Sequence, residues 1–131
     1  TARMGETGVD EESKVLFGYE DESRSVLTMA IRRETPCDAL IEGTEGSIRI
    51  PSPWWQSERF VLTARDGKQN RFHLPYRGNG YTHQAEQFMN IIRTGKMESE
   101  VMPLNESISV MELLDRVREV LGLRYPMEGK S

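Results

Sequence analysis

Residues 37–50 read CDALIEGTEGSIRI and predict a β-hairpin near the middle of the chain. Apolar side chains alternate with other residues in both halves, so residues 37–42 and 47–50 are predicted strands. Gly43-Thr44-Glu45-Gly46 between them is a predicted tight turn, because glycine tolerates the positive φ angles that short hairpins demand. The hairpin therefore indicates an antiparallel sheet.

Two-residue alternation continues on both sides of this hairpin, so that about six strands are predicted in all. The additional strands cover residues 14–19, 25–33, 59–64 and 68–74. The turn Asp66-Gly67 joins the last two of them. Pro51 and Pro53 end the ladder after the hairpin and begin a loop that holds Trp54 and Trp55.

The second half of the chain has helical periodicity. One helix is predicted between an N-cap at Thr82 and Gly95, and another between an N-cap at Asn105 and Gly122. Their apolar stripes are Ala85, Phe88, Met89 and Ile92, then Val110, Leu113, Leu114, Val117 and Leu121. Tyr125-Pro126 is expected to close the fold. Strands followed by helices predict an α+β fold: a largely antiparallel, open-faced sheet of about six strands with two helices packed on one face.

The composition is that of a single globular domain covering residues 1–131, with 37% hydrophobic and 29% charged residues. A net charge of −4 argues against binding to nucleic-acid phosphates, so no nucleic-acid partner is expected. No apolar run reaches the roughly 20 residues of a membrane span, and no membrane partner is expected. One cysteine, Cys37, excludes an internal disulfide and a multi-cysteine zinc site, and it favours a cytoplasmic location.

The predicted strands carry apolar side chains on both faces. In residues 25–33, Val26 and Ala30 lie on one side and Leu27, Met29 and Ile31 on the other. A sheet with one solvated face alternates more cleanly between apolar and polar residues. We therefore expect the uncovered face to meet another protein surface, either a second subunit or a further domain. The alternative is that long loops, including the Trp54-Trp55 segment, cover it.

Residue chemistry alone indicates no catalytic set. Gly78-Asn79-Gly80 lies between a strand and a helix, as in dinucleotide-binding motifs, but His83 stands where the third glycine is needed, so we interpret the segment as a turn. His73, His83 and Cys37 match no metal-site spacing, and no metal site is expected. Phe72, Tyr76 and Tyr81 cluster around the strand-to-helix connection, a place where small ligands often bind, although packing explains aromatic residues equally well.

Three groups of residues resemble the C-terminal domain of the Gfo/Idh/MocA oxidoreductases, nearest to the dimeric dihydrodiol dehydrogenase branch. The first is the hairpin IEGTEGSI at residues 41–48, and the second is GYTHQAEQF at residues 80–88 with IRTG at residues 92–95. The third is Glu98-Ser99, Met102-Pro103-Leu104, Glu106-Ser107, Met111, Leu114-Asp115, Arg118, Gly122 and Tyr125-Pro126. The resemblance covers nearly the whole chain and depends on the order and spacing of these residues.

In that family an N-terminal Rossmann domain binds NAD or NADP, and the catalytic lysine lies in a Glu-Lys-Pro motif that this sequence lacks. The resemblance therefore implies no catalytic residue and no cofactor site in this chain, with NAD or NADP bound by the Rossmann domain of a longer parent. It implies that this domain supplies the open sheet for a homo-oligomer and part of the substrate-pocket wall, for which the candidates are Phe72, Tyr76, Tyr81 and His83. The parent is expected to oxidise a sugar-like or cyclic alcohol, and the isolated chain to be inactive.

The start of the sequence leads to a related expectation. It opens Thr1-Ala2-Arg3 without an initiator Met, which indicates one part of a longer protein. The alternative function is a free-standing dimerisation or small-molecule-binding module without catalysis.

Overall fold

The computed structural model describes residues 1–125, which form seven strands and two helices. The strands are β1 (Ala2–Met4), β2 (Asp10–Gly18), β3 (Arg24–Ala30), β4 (Ala39–Gly43), β5 (Gly46–Ile50), β6 (Arg59–Ala64) and β7 (Gln69–His73). The helices are α1 (Tyr81–Arg93) and α2 (Leu104–Leu121), and a single 3-10 turn covers Trp54–Gln56. The predicted α+β class is confirmed.

The strands form two antiparallel sheets rather than one. The N-terminal sheet has the order β1-β2-β3, and the central sheet has the order β4-β5-β6-β7. The chain divides accordingly into two compact units: Pro36–Met97 is one, and Thr1–Thr35 with the described residues from Glu98 onward is the other. Each unit therefore contains one sheet and one helix, in place of the predicted single sheet that carries both helices.

Strand β1 and both helix starts differ from the sequence-based prediction. β1 was not predicted because three residues are too short for a periodic pattern, although it forms a hairpin with β2, in which it pairs with Ser13 and Glu12. Helix α1 is capped by Gly80 rather than Thr82, and α2 by Pro103 rather than Asn105. Gly80 has a φ of 86°, which a glycine adopts without a steric penalty.

Register gives the central sheet a mainly apolar face and a mixed face, on which Leu40 and Val61 flank Arg49. Ile48 of β5 lies between Ile41 and Leu62 on one face. Ser47, its neighbour, lies between Glu42 and Thr63 on the other. Successive residues of a strand point to opposite faces, so this pattern fits a sheet with one covered side.

Much of the apolar surface of the described residues is exposed. The almost fully buried residues among them are Leu123 and Ser13, at 6% and 1% exposure. In β3, Val26 and Leu27 point to opposite faces and are 58% and 47% exposed. Neighbouring apolar side chains are thus solvated on both faces of the N-terminal sheet within this chain.

The end of α2 is packed by Tyr125, whose ring lies 4.9 Å from the guanidinium carbon of Arg118. Pro126, the other residue of the segment expected to close the fold, lies outside the described residues.

Neither helix of the described part of the chain combines the length and the apolar character needed to cross a membrane.

Candidate functional site

The four predicted pocket residues lie in and around the connection between β7 and α1, residues 74–80, which we call the crossover. All belong to the unit Pro36–Met97. Where the crossover leaves the sheet, the Leu74 amide donates a backbone hydrogen bond of 2.7 Å to the carbonyl of Glu58. It ends at Gly80, which accepts a bond of 3.2 Å from the His83 amide in the first turn of α1.

Phe72 lies in β7 opposite Phe60 of β6. The two rings are stacked, with centroids 4.5 Å apart and planes inclined by 10°. Phe72 is 40% exposed, so one side of its ring faces solvent while the other contacts Phe60. Its position at the apolar face of the sheet fits both a packing role and contact with a flat ligand.

Tyr76 is half-buried in the crossover. Its backbone amide donates a hydrogen bond of 3.3 Å to Oε1 of Glu58. Its ring lies beside Gly80, where an added Cβ would be 3.7 Å from the Tyr76 Cδ2 atom. Tyr76 therefore connects the end of the sheet to the start of α1.

Tyr81 and His83 lie in the first turn of α1 and both are exposed, Tyr81 to 72%. The Tyr81 amide donates to Oδ1 of Asn79 at 3.3 Å, and the Gly80 amide donates to the Arg77 carbonyl at 3.1 Å. These bonds make residues 77–81 a hydrogen-bonded turn, as the sequence predicted for Gly78-Asn79-Gly80. Of the four predicted pocket residues, Tyr76 therefore lies beside the start of α1, which carries Tyr81 and His83. Phe72 instead contacts Phe60 in the sheet.

The start of α1 is fastened to the crossover by two side chains. Thr82, predicted as the N-cap, instead donates its hydroxyl to the Arg77 carbonyl at 3.0 Å. The Arg77 guanidinium in turn pairs with Glu86 of α1 at 2.5 Å. Both contacts join the crossover to the first turns of the helix.

Glu58 is a further residue of the site that the sequence did not indicate. Its Oε1 accepts from the Tyr76 amide, and its Oε2 lies 3.5 Å from Nε2 of His73. Both partners are 15 or more residues away along the chain, so neither periodicity nor a local motif predicts these contacts. A signal was nevertheless present: Glu58 immediately precedes a strand whose hairpin partner ends at His73.

Two surface cavities lie outside the crossover. One, of about 320 Å³, lies between β2 and α2 and is lined largely by apolar residues such as Val15, Leu16 and Val117. The other, of about 470 Å³, lies at the hairpin of β4 and β5, over Ile41 and Leu62. Neither is lined by Phe72, Tyr76, Tyr81 or His83.

The shifted pKa values belong to the N-terminal sheet and its turns. A hydrogen bond from Arg33 lowers the pKa of Glu12, and the Glu12 carboxylate raises the pKa of Arg33. Hydrogen bonds from Ser23 lower the pKa of Asp21 in the turn between β2 and β3. These groups are exposed ion pairs and turn contacts, which indicates a structural origin rather than a reactive site.

Among residues 1–125, no group of three or more His, Cys, Asp or Glu side chains is placed to hold a metal ion. Cys37 is half-buried before β4, and its carbonyl accepts a bond of 2.9 Å from the Trp54 amide. Trp54 and Trp55 are both exposed, with ring centroids 6.1 Å apart in an edge-to-face arrangement.

No family model matches the sequence. The chain is similar to trans-1,2-dihydrobenzene-1,2-diol dehydrogenases: that of Xenopus tropicalis is 32% identical over 131 residues, covering 94% of this chain and 39% of the relative. The Homo sapiens protein of the same name is 30% identical over 136 residues, covering 98% of this chain and 40% of the relative. The Danio rerio protein is 28% identical over 133 residues. The chain is therefore similar over almost its whole length to dehydrogenases of which it spans about 40%.

Proposed function

We propose that this chain is the C-terminal domain of an NAD(P)-dependent oxidoreductase of the Gfo/Idh/MocA type, which oxidises a cyclic diol or similar alcohol. The observation that carries the proposal is the similarity, at 30% identity or more, over 94–98% of the chain to enzymes named for such an oxidation. The chain spans 39–40% of those enzymes, so a larger part of the active protein is supplied by sequence outside it.

Within the described residues, the turn before α1 does not complete a dinucleotide-binding motif. The turn at Gly78-Asn79-Gly80 leads into α1 with His83 in place of the third glycine of such a motif, the glycine that lets the helix pack closely against the strand. The Tyr76 ring, moreover, fills the space beside Gly80. The nicotinamide that accepts the hydride is therefore assigned to another domain of the parent, and this chain to binding and orienting the alcohol.

The crossover, with the end of β7 and the first turn of α1, supplies the part of the pocket wall that this domain contributes. Phe72, Tyr76 and Tyr81 offer flat apolar surfaces that suit an unsaturated six-membered ring, and pockets for such ligands combine apolar walls with a few polar groups. The hydroxyls of Tyr76 and Tyr81 and the imidazole of His83 are groups that can hydrogen-bond to a diol. Their role in this proposal is to orient the substrate and exclude water.

The exposed apolar residues support a covered surface in the complete protein. Val26 and Leu27 lie on opposite faces of one strand and are about half exposed, so one copy of this chain alone does not cover either face. We propose that one of these exposed apolar surfaces contacts the Rossmann domain of the parent. The open sheet face is assigned to contact with a second copy of this chain. Light scattering should then give a mass that rises toward twice 15.0 kDa with concentration. A strict monomer at high micromolar concentration would contradict the second assignment.

Binding of trans-1,2-dihydrobenzene-1,2-diol, the compound in the relatives' name, tests the proposed pocket wall. We expect saturable NMR shifts at Phe72, Tyr76, Tyr81 and His83 when the chain is titrated with the diol. Tyr81→Ala should weaken binding, whereas Tyr19→Ala, which removes an exposed tyrosine from the turn between β2 and β3, should leave it unchanged. Absence of shifts, or shifts confined to other residues, would contradict this role.

A parallel titration with NADPH tests the absence of a cofactor site in this chain. We expect no binding below millimolar concentration, measured by nicotinamide fluorescence or calorimetry. A sub-millimolar affinity would refute the assignment of the cofactor to another domain.

A further inference from the structure

We infer that Glu58 is a positioning residue of the substrate wall: its carboxylate holds the crossover so that Tyr76 and the first turn of α1 face the substrate. This inference rests on the proposed function, because it assigns a purpose to residues placed in the pocket wall there. It concerns contacts that no sequence motif indicates.

The Glu58 side chain reaches two separate points of the crossover region. Its Oε1 accepts the hydrogen bond of 3.3 Å from the Tyr76 amide, and its Oε2 lies 3.5 Å from His73 Nε2 at the end of β7. The Glu58 backbone carbonyl accepts a third contact, from the Leu74 amide at 2.7 Å. One residue thus contacts positions 73, 74 and 76, where the chain leaves the sheet.

The position of Tyr76 in turn determines the environment of the helix start. Its ring packs against Gly80, the residue that caps α1 and immediately precedes Tyr81. Moving the Tyr76 backbone away from Glu58 would therefore move its ring relative to Gly80. The contact from Glu58 to the Tyr76 amide is the long-range side-chain bond that fixes this segment.

A purely stabilising role does not account for this arrangement. The Glu58 and His73 side chains are 34% and 55% exposed, and a contact between exposed polar side chains contributes little to global stability. A single hydrogen bond to a backbone amide, by contrast, fixes local geometry, and misplacing pocket groups weakens ligand binding. The expected consequence of losing Glu58 is thus local disorder of the wall with a small change in overall stability.

Two substitutions at Glu58 separate these roles. Glu58→Ala removes the acceptor for the Tyr76 amide, whereas Glu58→Gln keeps an acceptor oxygen for that amide and removes only the carboxylate charge. The matched control is Asp66→Ala, since Asp66 also accepts from a backbone amide in the same unit, that of Lys68 at 2.9 Å, but lies in the turn between β6 and β7.

The readouts are diol affinity, hydrogen exchange of the Tyr76 amide and the urea midpoint, all on the complete chain. We expect Glu58→Ala to weaken diol binding about three- to tenfold, the range that corresponds to one net hydrogen bond. The same substitution should accelerate Tyr76 exchange. Glu58→Gln should restore both properties to within about twofold, and Asp66→Ala should change neither.

The possible failures are distinguishable. If the unaltered chain binds the diol and Glu58→Ala binds equally well, or Glu58→Gln is as weak as Glu58→Ala, the positioning role is refuted and the proposed function stands. If Asp66→Ala weakens binding as much as Glu58→Ala, the effect is general destabilisation and the inference is also refuted. If the unaltered chain shows no diol binding, the pocket wall and the role of Glu58 are refuted together.

Discussion

Replacing Gly46 by alanine is expected to damage the central sheet at one defined place. Gly46 begins β5, where it pairs with Gly43 of β4 and Ala64 of β6. Its φ is 150°, and a Cβ built on it would lie 2.2 Å from the carbonyl oxygen of Thr63. Since Thr63 belongs to the neighbouring strand, relief requires the two strands to separate at the hairpin.

The size of the effect follows from two contributions. An ordinary contact needs at least about 3.4 Å, so the strands must move apart by about 1 Å, and such overpacking typically costs about 1–3 kcal/mol. Holding a non-glycine residue at this φ adds about 1–3 kcal/mol. Gly46→Ala should therefore lower the free energy of unfolding by about 2–6 kcal/mol, a large fraction of the total for a small domain.

Two other glycines provide matched controls. Gly67 has a φ of 84° but nothing within 4 Å of an added Cβ, so Gly67→Ala should cost only the backbone strain of about 1–2 kcal/mol. Gly43 has an ordinary φ, and its added Cβ would make a normal contact of 3.8 Å. Gly43→Ala should consequently change the free energy of unfolding by less than about 0.5 kcal/mol.

Urea unfolding followed by circular dichroism and by the emission of Trp54 and Trp55 measures all three variants. With a typical slope of about 1–3 kcal/mol per molar urea, Gly46→Ala should lower the midpoint by about 1 M or more. The predicted order of stability is Gly43→Ala, then Gly67→Ala, then Gly46→Ala. A Gly46→Ala variant as stable as Gly67→Ala would refute the close approach of β5 and β6.

Two further predictions concern one contact in each sheet. Because the rings of Phe60 and Phe72 are stacked, Phe60→Leu and Phe72→Leu should show a coupling free energy of about 0.5–1.5 kcal/mol in a double-mutant cycle of urea unfolding. Strictly additive losses of unfolding free energy would contradict the stacking. Glu12→Gln should destabilise the chain at neutral pH but not in acid. Arg33 lowers the pKa of the Glu12 carboxyl in the folded chain, so the ionised carboxylate stabilises the fold at pH values above its ordinary pKa of 4.5. That contribution is lost as the pH falls through the folded pKa. Urea midpoints between pH 7 and 3 test this difference, and a gap that is independent of pH would contradict it.

Local patterns in the sequence were sufficient to predict most of the secondary structure. The turns Gly43-Thr44-Glu45-Gly46 and Asp66-Gly67 carry their own conformational signals, and both hairpins are present. Division into two sheets could not be predicted in this way, because alternation identifies strands without their partners. Strands β3 and β4 illustrate the point, since they are consecutive in the chain and yet lie in different sheets.

The helix starts were misplaced for a local reason. Thr82 and Asn105 have favourable capping side chains, but Gly80 and Pro103 hold the capping backbone positions, and Thr82 bonds instead to the Arg77 carbonyl. Capping preferences identify a helix terminus only to within a few residues.

The candidate site was predictable in part. The aromatic residues around the crossover were visible in the sequence because they lie within ten positions of one another. Glu58 was not, since its contacts to His73 and Tyr76 depend on the pairing of β6 with β7. No pattern in the sequence identifies which of these side chains would contact a ligand.

The central claim is that this chain works as one domain of a nicotinamide-dependent oxidoreductase. Reading the native coding sequence upstream of the codon for Thr1 tests that claim most directly. The account predicts an in-frame strand, a GxGxxG turn and a helix, followed by a Glu-Lys-Pro motif. An initiator Met codon immediately before Thr1 would contradict it.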